Sequence, residues 1–140
     1  MNRFLDSEDH VPEEPQFAAL GHAGSTHYAG LETFENPGCH SVSYISDEVM
    51  SKCPITGQPD FYTVEIQTLQ CDRCLESKSL KLFFQGIIED AFGKDIGIFC
   101  EGLAVHIRDC VVNALETEED HVQVTLIQKS RGGISIKAVA

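Results

Sequence analysis

The segment Cys53-Pro54-Ile55-Thr56-Gly57-Gln58-Pro59-Asp60 sets a thiol and a carboxyl seven residues apart across prolines and a glycine that favour a stiff turn. A thiol that attacks an electrophile reversibly needs a neighbour that handles protons, and such a turn can hold both groups over one small substrate. Cys53 is therefore a candidate nucleophile and Asp60 its candidate proton donor. A place in a loop just ahead of a strand, beside Lys52, favours an accessible thiol with a lowered pKa. Spacing alone leaves two other readings open: Cys53 as a buried structural cysteine, and Asp60 as a turn-capping carboxyl.

Three further groupings carry chemistry. Glu76-Ser77-Lys78-Ser79-Leu80-Lys81 places two lysines near a predicted helix start. There Ser77 and Ser79 can cap, and backbone N–H groups can face a phosphate. The same residues also make an ordinary capped helix with solvated lysines. Arg131-Gly132-Gly133 offers a guanidinium and bare backbone to a ligand, or simply a hairpin turn. Cys71-Asp72-Arg73-Cys74, taken with Cys39-His40, has the elements of a zinc site, but one short pair without a second favours free thiols, and no metal is assigned. His10, His22, His27 and His121 show no ligand spacing.

These groups need a scaffold. Residues 1–16 read as a flexible acidic tail with too little apolar surface to order itself, and residues 17–140 as a single domain. Residues 17–37, rich in Gly, His and Thr, read as an irregular arm. A short strand is predicted over 40–45. A second covers 61–69, with Tyr62, Val64 and Ile66 on one face and Thr63, Glu65 and Gln67 on the other. Leu80, Phe83, Phe84, Ile87, Ile88 and Ala91 follow helical spacing, as do Leu103, Ile107, Cys110, Val111 and Ala114, with Gly93 between the two runs. After the acidic turn 116–120, Val122, Val124 and Leu126, then Ile134, Ile136 and Ala138, alternate on either side of the glycine turn. The order is ββααββ, an α+β fold with both helices on one face of an antiparallel sheet. Such a sheet has two open edges, which pairing between copies into a barrel would close.

Composition narrows the function. A net charge of -12 argues against nucleic acid as a direct ligand, since phosphate binding draws on clustered Lys and Arg. The apolar runs are broken by charged residues and span no bilayer. The N-terminus lacks the apolar core of a secretory signal, so a cytoplasmic protein with reduced thiols at its six cysteines is expected.

C-P-x-T-G-Q-P-D-F at 53–61, E-S-K-S-L-K-L-F at 76–83, F-x-E at 99–101 and R-G-G-I-S-I at 131–136 together resemble the QueF family of NADPH-dependent 7-cyano-7-deazaguanine reductases, in its single-module form. The resemblance covers nearly everything except the acidic tail. It implies a tunnelling fold that assembles into a homo-oligomer with active sites where subunits meet. It also implies that Cys53 attacks the nitrile carbon of 7-cyano-7-deazaguanine to form a thioimide, that Asp60 protonates the nitrogen, and that two NADPH deliver hydride to give the 7-aminomethyl product, a queuosine precursor. Glu101 would pair with the amidine-like edge of the base and Phe99 would stack on it or close over it. Residues 76–81 with Arg131 and Gly132 would hold NADPH. The family histidine between Phe and Glu is Cys100 here, which takes over its place at the substrate or forms a reversible disulfide with Cys53. Two alternatives follow from the same motifs: an amidinotransferase of the QueF-like kind that adds ammonia, and a non-catalytic deazapurine-binding protein.

Overall fold

The computed structural model describes residues 30–53, 55–90 and 99–140. The acidic tail, the arm as far as Ala29, His10, His22, His27, Pro54, Ala91 and Gly93 lie outside the described residues.

The main sheet has the order β2-β3-β5-β6 and is antiparallel throughout, formed by β2 (Ser41–Lys52), β3 (Pro59–Leu69), β5 (Val122–Arg131) and β6 (Ile134–Val139). Between β3 and β5 the chain runs through α1 (Ser77–Asp90) and α2 (Cys100–Leu115). Both helices cover one face of the sheet, α1 against β2 and α2 against β5 and β6. The alternation expected of β3 is met: Tyr62, Val64 and Ile66 are wholly buried under the helices, together with Val124 and Leu126 of β5. From the helices Leu80, Phe83, Ile87, Leu103, Ile107 and Val111 complete this core. The α+β reading with two helices on one face therefore holds.

Two features differ from the sequence expectation. The strand expected over 40–45 runs on to Lys52, because one extra residue between Ser46 and Val49 bulges the strand without ending it. Part of the arm is ordered as β1 (Thr33–Glu35), which pairs antiparallel with β4 (Arg73–Leu75) in a separate two-stranded sheet. Arg73 holds the pair through bonds to Thr33 Oγ1 at 2.7 Å and Thr33 O at 3.0 Å. Helix α2 closes at the acidic turn as expected, on Glu116 in the left-handed region with its N–H bonded to Asn113 O, where a glycine would be the usual choice.

The turn at Gly132 and Gly133, with φ of +60° and +82°, is the two-residue type that matches strand twist and selects glycine. Its geometry accounts for both residues without a ligand.

Candidate active site

The β2 bulge decides which way the nucleophile faces. Along the sheet Tyr44 opposes Ile66 and Ser46 opposes Val64; past the bulge Val49 opposes Tyr62 and Ser51 opposes Asp60. The extra residue shifts the parity of β2, so Ser51 turns to the helix-bearing face, where Asp60 and Tyr62 lie. The ladder continues one step into the loop, where Cys53 N–H donates to Gln58 O at 2.8 Å. Cys53, Gln58 and Asp60 thus share one face of one hairpin.

The hairpin loop is closed by local bonds. Gly57 N–H donates to Cys53 O at 2.9 Å, with Gly57 at φ +71°, and Gln58 N–H donates to Thr56 Oγ1 at 3.3 Å. The Thr56 hydroxyl, then the amides of Thr56 and Ile55, favour the Cys53 thiolate and hold the thiol below its ordinary range, against the opposing charge of Asp60. The half-buried Cys53 thiol thus lies below its ordinary pKa, with Thr56 rather than Lys52 the largest cause.

Asp60 is buried and bonded on one oxygen. Arg131 Nη1 donates to Oδ1 at 2.6 Å and Gln128 Nε2 to the same atom at 3.4 Å. The second nitrogen of Arg131 donates to Gln58 Oε1. Asp60, and to a lesser degree Cys53, raise the pKa of the Arg131 guanidinium further. Deeper on the same face, Ser51 Oγ donates to Tyr62 Oη at 3.1 Å, and burial pushes the Tyr62 hydroxyl up to about 12. Thr56 and Gln58 could have been singled out from the motif that contains them. Gln128 and Tyr62 gave no such signal, since each reads as an ordinary strand residue.

At the start of α2 three consecutive residues part ways. Phe99 is 55% exposed and Glu101 is exposed in the first turn, where the helix dipole favours its charge. Cys100 between them is 1% exposed, its thiol directed at Leu126 O and Ile136 O at 3.7 and 3.9 Å. Burial raises its pKa, with Glu101 adding to the effect. Cys100 therefore faces the sheet and not solvent, which departs from the expectation that it meets a substrate. Cys53 and Cys100 are both free thiols.

The 76–81 segment divides between scaffold and surface. Glu76 is buried, and its carboxylate accepts from Lys78 N at 2.6 Å and Ser79 N at 2.8 Å, capping α1. Ser79 Oγ donates to Glu76 O at 2.9 Å and accepts from Glu32 N at 3.0 Å. Glu76 and Ser79 thus hold the helix start and its approach together. The Lys78 and Ser79 amides, expected to face a phosphate, are taken by Glu76, because a buried carboxylate satisfies both the orphan donors and the helix dipole. Ser77 and Lys81 do face outward and, with Gln85, Leu80 and Phe84, line a cleft of about 310 Å³ whose other wall is the bulge region of β2, Tyr44 to Glu48. Cys53, Asp60, Arg131 and Gly132 are not among its walls.

Cys71 and Cys74 are buried, with Tyr44 Oη accepting from Leu75 N at 2.9 Å beside them. Among the described residues no group of three or more His, Cys, Asp or Glu is placed to hold a metal. His121 Nδ1 lies 2.8 Å from Leu69 O and tethers the start of β5. Among the described residues no helix is long and apolar enough to cross a membrane.

No family model matches the chain. Curated proteins do. One from Frankia casuarinae is 38% identical over 120 residues, covering 85% of this chain and 90% of its own length. Another, from Chlorobium chlorochromatii, is 36% identical over 108 residues, covering 75% and 86%. A third, from Syntrophobacter fumaroxidans, is 35% identical over 114 residues, covering 79% and 68%. All three are named NADPH-dependent 7-cyano-7-deazaguanine reductase. Among solved structures, the apo form of the archaeosine synthase QueF-Like matches with a TM-score of 0.57 and 22% identity, over 74% of this chain and 93% of that one, a likeness of fold.

Proposed function

The chain belongs to the family of NADPH-dependent 7-cyano-7-deazaguanine reductases, and we propose from that membership that it reduces the nitrile of 7-cyano-7-deazaguanine to the aminomethyl group with Cys53 as nucleophile and Asp60 as acid. The observation that supports these roles most is the placing of both side chains on one face of one hairpin, with Thr56 drawing the thiol toward its reactive form. Sulfur attacks the nitrile carbon, one carbon–nitrogen π bond opens, and the nitrogen takes a proton from Asp60 to give the thioimide. Addition converts a poor hydride acceptor into a protonatable imine equivalent. NADPH, when bound, supplies hydride, two equivalents per nitrile. The proton given to nitrogen leaves with the amine, so two protons enter from solvent over the cycle, one to the nitrogen and one to the Cys53–Asp60 pair as the sulfur departs, returning the pair to its starting state.

Phe99 and Glu101 stand exposed at the start of α2, suited to stack on a flat base and to accept two parallel N–H bonds from its guanine-like edge. The α1–β2 cleft fits a nicotinamide cofactor in chemistry: Lys81 offers positive charge, Ser77 and Gln85 offer polar atoms, and Leu80 and Phe84 offer an apolar wall. With the α1 amides already used, phosphate charge there falls to the lysine side chains. Neither Cys53 nor Asp60 lines that cleft, which supports a homo-oligomer in which the cofactor segment of one copy serves the thiol of another. Among the described residues both sheet edges, β2 and β6, lack a further strand, and the helix-free face carries exposed Ile45, Phe61, Leu69 and Ile127, so the subunit has surface to pair.

The test is stoichiometric. With the full chain, nitrile and NADPH, two NADPH are consumed for each aminomethyl product. Nitrile consumption without NADPH oxidation, or oxidation without the amine, would overturn this reading.

A further inference from the structure

Asp60 is anchored on one side only. Oδ1 accepts from Arg131 and from Gln128, whereas Oδ2 has no bonding partner among the described residues. Arg131 reaches it from the far end of β5, a connection of 71 residues along the chain. The same guanidinium binds Gln58, whose carbonyl oxygen holds the amide of Cys53. One side chain therefore joins the acid to the loop that carries the nucleophile. A planar guanidinium with parallel donors can bridge two acceptors in a way an ammonium cannot. The sequence motif pointed to a cofactor role for this arginine, yet the geometry gives it another.

We propose that Arg131 is a positioning residue for the acid and thiol, clamping the Cys53–Gln58 loop to Asp60 through Oδ1 so that Oδ2 is the oxygen that bears the donated proton. The assignment rests on the nitrile-addition reading above. With Oδ1 committed to two donors, a proton on the carboxyl sits on Oδ2 and is aimed in one direction, which shortens the search for a reactive geometry. The charged groups that bear on the thiol are Asp60 from β3 and Arg131 from β5. Lys52 precedes it on β2, and Glu101 at the start of α2 bears on Tyr62 deeper on the same face. Arg131 is 42% exposed on its side chain, so its replacement leaves the core intact.

Two readouts on full-length protein separate this role from a cofactor role. The first is the rate of thioimide formation with the nitrile base and no NADPH, followed by intact mass for wild type, Arg131→Lys and Arg131→Ala. Arg131→Ala is expected to slow it by about 10- to 100-fold, with partial recovery in Arg131→Lys. Formation at the wild-type rate, with only the NADPH KM raised, would overturn the proposal. The second is the pH profile of Cys53 alkylation by iodoacetamide, which needs neither substrate nor cofactor. Loss of Arg131 removes a positive charge and leaves Asp60 uncompensated, so both effects move the profile to higher pH. If Arg131 acts through Asp60, the shift shrinks in an Asp60→Asn background. A wild-type protein that forms no adduct would refute the nitrile reading itself. The alkylation profile would then decide on Arg131 alone, an unmoved profile overturning it.

Discussion

Cys53 and Cys100 carry the same thiol into opposite surroundings. Cys53 sits in a loop whose hydroxyl and amide groups favour its thiolate, whereas Cys100 is buried against β5 and β6, where the loss of solvent outweighs the backbone bonds from Gln128 and Ala138. One thiol is drawn down and the other pushed up. Both thiols receive backbone bonds that favour the thiolate, so what separates them is solvent: the loop leaves Cys53 partly exposed with the Thr56 hydroxyl beside it, and burial under α2 makes charge costly at Cys100. It also shows how Cys100 can occupy a place where the family resemblance expects histidine. With its side chain turned inward, Phe99 and Glu101 on either side remain exposed.

The largest test of that contrast pairs Cys53→Ala with Cys100→Ala. The first abolishes reduction to background, while the second keeps most activity and loses about 1 kcal/mol of stability in urea denaturation. Equal losses of activity would erase the distinction. Next in size, Glu101→Gln weakens a charged contact and raises the substrate KM by about 10- to 100-fold with a smaller change in kcat; steady-state kinetics at saturating NADPH reads it.

A smaller pair of changes extends the comparison to the 76–81 segment. Glu76→Ala uncaps α1 and costs about 1–2 kcal/mol of stability, whereas Lys81→Ala raises the NADPH KM and leaves stability unchanged. Thermal unfolding alongside NADPH titration tells them apart. Smallest is Thr56→Val. Loss of the hydroxyl removes a bond to the thiolate, so the neutral thiol persists to higher pH and alkylation of Cys53 moves up with it. In wild type Cys53 reacts at lower pH than Cys100 or Cys110, whose thiols burial pushes up.

What the sequence disclosed, it disclosed where one physical signal ruled. Tyr62, Val64 and Ile66 alternate because β3 is covered on one face only, and Gly132-Gly133 marks a turn that needs positive φ. The bulge in β2 hid the rest of that strand: Ser46, Asp47 and Glu48 read as its end, although they are the device that turns Ser51 and Cys53 toward Asp60. The β1–β4 pair was hidden for another reason, since three-residue strands some 40 residues apart leave no periodic trace. At the site, Cys53 and Asp60 were legible because one short turn carries both. Arg131 and Gln128 meet Asp60 only after the sheet brings β5 beside β3, a contact that no local pattern records.

The central claim is that the Cys53 thiol adds to a nitrile and is then released by reduction. Intact mass after incubation with 7-cyano-7-deazaguanine tests it directly. Wild type is expected to gain one substrate mass and Cys53→Ala none, and added NADPH returns wild type to the unmodified mass with release of the aminomethyl product. No gain on wild type, a gain that survives Cys53→Ala, or an adduct discharged by ammonia and not by NADPH would contradict it.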